Sequence, residues 1–245
     1  FDEHSHLLTI YASHDDALLQ LQQHAALHAL HLDIRFCGSV DAIRALNEGR
    51  CTVAGFHAPA QPDAASLIAS TYRPLLKTGQ HKLIGFASRQ QGLMVVKDNP
   101  LCLQSWQDLL KPGVRFVNRS PGTGTRLLLD QWLQAHQIAS SEIVGYEQEE
   151  PSHMALAAYI ASGKADVGLG IESAAQAHGL DFVPLEEELY WLVCLKTALN
   201  TPAVQQLLHL LGTADWAHQL ARLPGYALAA QTGQVHSLKR TLPWW

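Results

Sequence analysis

One structural unit is written twice at the start of this chain and begun a third time. A compact apolar run gives way to a few small polar residues, and these lead into leucines and alanines at helical spacing. LLTIYA (7–12) ends in SHDD and enters ALLQLQQHAALHAL; LDIRFC (32–37) passes through Gly38 and Ser39 into VDAIRALNEG, closed by Gly49. CTVAGFHAP (51–59) then supplies a third buried strand and a loop bearing His57 and Pro59. Short apolar runs bounded by turn residues read as strands, and leucines recurring every three to four residues read as helices. Ser13 or Asp15 stands where the first helix needs an N-cap. This alternation confines the chain to an α/β layer architecture around a mainly parallel sheet.

The rhythm continues through the rest of the chain. HKLIGFASRQQGLMVVKDNP (81–100) contains two short strand-like runs, and LCLQSWQDLLKPG reads as a helix stopped by Pro112 and Gly113. RFVN is a strand, and SPGTGT is the loop before a helix from about Arg126 to His136, with Thr125 placed as its N-cap. EIVGYEQ reads as a strand, SHMALAAYIAS as a helix ended by Gly163, ADVGLGI (165–171) as a buried strand, and Glu172 starts another helix. LYWLVCLK returns as a long apolar strand before amphipathic helices and the tail LKRTLPWW. Two α/β lobes of about 100 residues each are expected, within the usual domain range. Lobe one is residues 1–87 plus 191–245 and lobe two is residues 88–190, with crossings near 85–92 and 185–195. In such a pair of open sheets the loops at the carboxyl ends of the strands face a shared cleft, where function is expected.

Composition narrows the function. With 245 residues, 47% of them hydrophobic and 16% charged, the chain can bury a large core or two smaller ones. No window approaches the roughly 18 apolar residues of a membrane span. FDEHSHLLTIYASHD lacks the basic start and apolar middle of a signal peptide. A first residue of Phe is expected of a trimmed precursor or a separated domain. The formal net charge is −5, and Lys and Arg are scattered without a basic stripe, so direct binding to a nucleic-acid backbone is not expected. Cys37, Cys51, Cys102 and Cys194 lack metal-ligand spacing. They read as buried free thiols, with a Cys37–Cys51 disulfide as the alternative in an oxidising compartment. His24, His28 and His31 fall on one helical face, but without a carboxylate partner they read as helix surface and not as a metal site.

The loops expected at the cleft carry the chemistry: Ser13 and His14, Gly38 and Ser39, His57, Asn118 to Thr125, Ser152 and His153, and Gly170 to Glu172. Several precede a helix and carry a hydroxyl. A helix start offers unpaired N–H groups and a partial positive charge, so a Ser or Thr there completes a donor set for an anion. SPGTGTR lacks the lysine of a P-loop, and no GxGxxG is present. The loop alone could be a plain capping turn, but Arg119 adds a guanidinium able to bind an oxyanion or carboxylate in two places. Ser13 and Ser39 read as caps or as ligands, and His57 and His153 as neutral donors or as rim residues. Glu172 would repel an anion and reads as a cap or a contact between lobes. Trp244 and Trp245 read as an anchor for the tail or a contact with another domain or subunit. There is no GxSxG elbow, and no nucleophile and base that the sequence places together, Ser120 and His153 included; an enzyme is not expected.

FVNRSPGTGTRLLLD (116–130), SHMALAAYIASGKADVGLGIESAAQAHGLDFVPL (152–185), HAP (57–59) and the terminal LPWW together resemble the substrate-binding-protein-like domain of bacterial regulators. In that family the domain often follows a winged helix-turn-helix domain similar to the molybdate-responsive regulator, or is attached to molybdopterin-biosynthesis proteins. The resemblance spans nearly the whole chain. More distantly, the same loops are similar to tungstate-binding proteins of ABC importers. That likeness implies oxyanion contacts for Arg119 and Thr125, matches Thr123 to a serine, and matches Ser13 and Ser39 to hydroxyl residues at the first two strand ends. Pro121 and Gly122 depart from it, standing where those proteins carry acidic residues.

The resemblance implies a two-lobed type 2 periplasmic-binding-protein fold that closes on its ligand. The expected function is a sensor domain for a small oxyanion, molybdate or tungstate first, in a cytoplasmic transcriptional regulator. The implied partners are a preceding DNA-binding domain and a second copy in a homodimer. The alternative is an exported, periplasmic solute-binding protein of an ABC importer for an oxyanion or small organic acid; a third class is an enzyme domain in molybdenum-cofactor assembly. No cofactor beyond the anion and no metal are expected.

Overall fold

The computed structural model describes residues 6–60 and 66–242, and the terminal Trp244 and Trp245 lie outside them. The chain divides into two units, residues 1–88 with 189–245 (unit 1) and Arg89–Glu188 (unit 2).

In unit 1, β1 (His6–Ala12) lies between β2 (Leu30–Phe36) and β3 (Val53–Pro59), and both pairings are parallel. Leu8, Ile10 and Ala12 alternate inward along β1, whereas every residue of β3 is buried, as expected of a strand with both faces covered. The sheet order continues from β3 to β8 (Asp181–Leu195) and β4 (His81–Val95), two strands that belong partly to each unit. β9 (Tyr226–Ala227) and β10 (Val235–Ser237) also pair with β4.

Between these strands run α1 (Asp16–Ala26), α2 (Ser39–Asn47) and α3 (Leu67–Tyr72). Asp15 starts α1 by accepting from the amides of Ala17 and Leu18 at 2.8 and 3.2 Å. The unit's core joins Leu18 and Leu21 of α1 to Phe86, Tyr190 and Leu192 of the sheet. It also takes in Leu207 and Trp216 from two C-terminal helices (Pro202–Leu211 and Ala214–Ala221).

Unit 2 has the strand order β4, β7 (Val167–Ile171), β5 (Phe116–Arg119), β6 (Glu149–Glu150). β4 runs antiparallel to β7, and β5 runs parallel to both β7 and β6. Side chains alternate across the sheet and build two cores. Phe116 and Val95 join Leu129 and Trp132 of α4 (Gly124–Ala135); Val117 and Met94 join Leu156 and Ile160 of α5 (His153–Ala161) and Ala175 of α6 (Glu172–Ala177). Among the described residues no helix is long and apolar enough to cross a membrane.

Several local expectations are corrected. Residues 81–95 form one continuous strand, not two runs. The expected helix at LCLQSWQDLLKPG is a single 3₁₀ turn, Trp106–Leu110. Asp108 caps it by accepting from the amides of Gln104 and Ser105, and Pro112 holds Lys111 extended at its end. EIVGYEQ is a turn, not a strand. Gly145, at φ +99°, packs so close to β5 that a Cβ there would lie 1.9 Å from the carbonyl oxygen of Phe116, and extended structure resumes only at Glu149. The three histidines do not share a helix: α1 ends at Ala26, His31 lies in β2, and His24 is buried against Trp216. All four cysteines are free, but only Cys194 is buried as expected; Cys37 and Cys51 are half-buried and Cys102 is exposed.

Candidate functional site

The loop between β5 and α4 is flanked by two arginines with opposite fates. Arg126 is fully engaged in the fold. Its guanidinium lies 4.3 Å from the centre of the Tyr146 ring and donates to Glu149 at 3.2 Å and to the Arg119 carbonyl at 3.0 Å, with Asp130 at 3.3 Å. Arg119 ends β5, is only 5% exposed, and makes one side-chain bond, from Nη2 to the Pro151 carbonyl at 3.3 Å. Its Nε and Nη1 are buried without a partner. Burial and the neighbouring Arg89 charge push its pKa down to about 10. A desolvated guanidinium with unused donors is costly unless an anion completes it.

Helix α4 starts beside this group. Gly122, at φ +82°, turns the chain so that Thr123 is extended and becomes the N-cap, a correction to the expected cap at Thr125. The Thr123 hydroxyl accepts from the Arg126 amide at 3.3 Å and donates to the Ser120 carbonyl at 2.9 Å, so both of its bonds are internal. Thr125 instead sits in the first turn, 3% exposed, where its hydroxyl accepts from Gln91 Nε2 at 2.9 Å and keeps its proton to donate. The amides of Gly124 and Thr125 precede the first intrahelical bond, from Leu127 to Thr123.

β4 contributes polar residues that the sequence reading passed over. Arg89 and Gln91 alternate on one face of a strand that is otherwise largely apolar. Arg89 Nε donates to Glu188 Oε1 at 2.5 Å, and Gln91 Nε2 lies 3.2 Å from the same oxygen. In the sequence this i, i+2 pairing is masked by the four consecutive polar residues Ser88 to Gln91. Glu188 is not readable, because it comes from β8, 99 positions away from Arg89. His153 opens α5, where Ser152 is the cap, and is buried against Gly170: a Cβ there would lie 3.3 Å from its Nδ1.

Unit 1 holds a second set of donors. Ser39 opens α2, is fully buried, and its hydroxyl has no partner; the Gly38 cap supplies no side chain. Ser13 Oγ lies 3.5 Å from His57 Nδ1, and His57 Nε2 lies 3.6 Å from Asp15 Oδ2. Asp15 also accepts from the Tyr226 hydroxyl at 2.8 Å, and the Tyr190 ring packs on His57 with centroids 3.9 Å apart. Within unit 1 the fold therefore joins Ser13 to His57 through this chain. Within unit 2 it joins Thr125 to the Gln91–Glu188–Arg89 network, with Arg119 beside Arg89. Among the described residues no group of three His, Cys, Asp or Glu side chains is placed to hold a metal ion.

Comparison with known proteins fits this architecture. Residues 21–212 match the model of the PBP superfamily domain. The uncharacterized protein YvgK of Bacillus subtilis (strain 168) is 31% identical over 201 residues, which is 82% of this chain; the chain spans only 64% of that protein's length. Among solved structures, the sulfate-binding protein SubI of Mycobacterium tuberculosis H37Rv superposes with a TM-score of 0.66 at 16% identity, covering 93% of this chain and 88% of SubI. The regulatory domain of Synechocystis PCC6803 CcmR, solved in complex with 2-PG, superposes with a TM-score of 0.61 at 13% identity, covering 83% of this chain and 94% of that domain. The chain belongs to the PBP superfamily and has the fold of its small-ligand-binding members.

Proposed function

We propose that the protein is a sensor domain for a small oxyanion, with Arg119, Thr125 and the first-turn amides of α4, all in unit 2, as its charged binding group. The observation that carries this reading is the pair of buried, unpartnered donors on Arg119. Ser39 with its unpaired hydroxyl, Ser13 and His57 form a separate polar group within unit 1, and in unit 2 His153 opens α5 two residues after Pro151, whose carbonyl accepts from Arg119. Thr123 serves this group as the helix cap. Molybdate and tungstate are the oxyanions that the sequence resemblance puts first.

The domain acts without catalysis, in a cytoplasmic transcriptional regulator with a DNA-binding domain and a second copy as partners. An anion bound more tightly by one conformation shifts the population toward it, and that shift is the signal. The four free thiols and the likeness to a regulatory domain support this placement. An exported solute-binding protein is the second reading, favoured by the likeness to SubI.

Thermal shift in the presence of molybdate, tungstate, sulfate and phosphate tests the ligand class. A ligand at 100 times its Kd stabilises the folded state by about 2.7 kcal/mol, a rise of several degrees. No rise with any of the four would remove the oxyanion reading.

A further inference from the structure

Gln91 narrows the chemistry of the ligand. Its side chain is 1% exposed, and Nε2 is 2.9 Å from Thr125 Oγ1 and 3.2 Å from Glu188 Oε1. These contacts fix the orientation of the amide, because turning it over would set the amide oxygen against the Glu188 carboxylate. Its Oε1 is thereby an acceptor, buried and without a partner. Thr125, to which Gln91 is bonded, has a hydroxyl proton left to donate and stands with Gly124 in the first turn of α4, ahead of the first intrahelical bond. Arg119, whose Nε and Nη1 are buried without a partner, lies within reach of the charge of Arg89, which shares Glu188 with Gln91. The charge of Arg89 is met by Glu188 at 2.5 Å, whereas Arg119 has no carboxylate bonded to it.

We propose that the site takes a singly charged anion that carries its own O–H beside the anionic oxygens, and that Gln91 Oε1 receives this proton. The shared chemistry covers a hydrogen-bearing oxyanion and a 2-hydroxycarboxylate. A bare dianion such as sulfate, molybdate or tungstate satisfies the donors but leaves Gln91 Oε1 unpaired. It also brings a second negative charge beside Glu188. One unmet buried acceptor is enough for about a 10- to 100-fold loss of affinity. The proposal rests on the anion-binding reading of Arg119 and ranks the anions within it.

The test is calorimetry on the whole chain at pH 7 with two matched comparisons: phosphate against sulfate, molybdate and tungstate, and glycolate against acetate. The expected result is a preference of about 10-fold or more for the proton-bearing member of at least one comparison, and which comparison responds identifies the source of the O–H. In Gln91→Met, which keeps the length and removes the acceptor, that ratio should fall toward one while thermal unfolding stays cooperative. If none of these anions binds, the anion reading fails and this proposal with it. If bare dianions bind as tightly as phosphate and acetate as tightly as glycolate, the donor proposal alone is overturned. A ratio unchanged in folded Gln91→Met overturns the role of Gln91. Should Gln91→Met not fold, the wild-type ratios still decide the proposal.

Discussion

Gln91 of β4 donates to the hydroxyl of Thr125 at 2.9 Å, fastening the middle of a long strand to the first turn of α4. Through this bond Thr125 becomes part of a buried polar network, while Thr123, two residues earlier, is the cap.

These roles separate by mutation. Thr123→Ala should cost about 1 kcal/mol of stability, as loss of a helix N-cap usually does, with only a secondary effect on ligand affinity. Thr125→Val should weaken ligand binding by about tenfold, the worth of one hydrogen bond, at a smaller cost in stability. Urea unfolding and calorimetry on both variants check the pair. Equal losses in both measurements would contradict the division of roles.

The Arg89–Glu188 pair, with side chains 3% and 4% exposed, is sensitive to removal of either partner. Glu188→Gln leaves a buried guanidinium without its counter-charge, and the expected loss is about 3 kcal/mol in urea unfolding. A loss under about 0.5 kcal/mol would show that the pair is open to water in solution.

Acid should destabilise the fold through His81. Its Nδ1 accepts from the Lys77 amide at 2.8 Å, leaving Nε2–H to donate to Asn47 Oδ1 at 2.7 Å, so the ring is neutral. Burial pushes its pKa below the ordinary 6.5, and His24 is lowered likewise by burial and by His28. The unfolded chain therefore binds protons first as pH falls below about 6.5. Stability is fully present above that pH and declines as pH drops through the folded-state values. The urea midpoint should be lower at pH 5 than at pH 7.5, and His81→Gln should flatten the difference.

The thiols should react in two classes. Cys102 is exposed, whereas burial raises the thiol of Cys37 and pushes Cys51 and Cys194 up to about 11. Titration of native protein with an aromatic disulfide should show one fast thiol, lost in Cys102→Ser, and slow reaction at the rest.

The strands that were plain in the sequence are those buried on both faces, such as Val53–Pro59 and Val167–Ile171, where an unbroken apolar run has no other use. The continuity of β4 was hidden by Ser88 to Gln91, whose polar side chains look like a break until Glu188 and Thr125 arrive to pair with them. Arg119 stood out because a loop of small residues leaves a guanidinium conspicuous. The exchange of roles between Thr123 and Thr125 was not legible, since it turns on the left-handed backbone of Gly122. Gly145 misled for the same kind of reason: its close approach to Phe116 depends on a strand about 30 residues earlier.

The central claim is that Arg119 holds an anion, and calorimetry of the wild type beside Arg119→Ala tests it most directly. With molybdate, tungstate, sulfate, phosphate and glycolate as titrants, the wild type should bind at least one, and the variant should lose 100-fold or more of that affinity, about 2.7 kcal/mol. Its fold should be retained or stabilised, because the substitution removes a buried charge that lacks a carboxylate partner. Wild-type affinity in a folded Arg119→Ala protein would contradict the account.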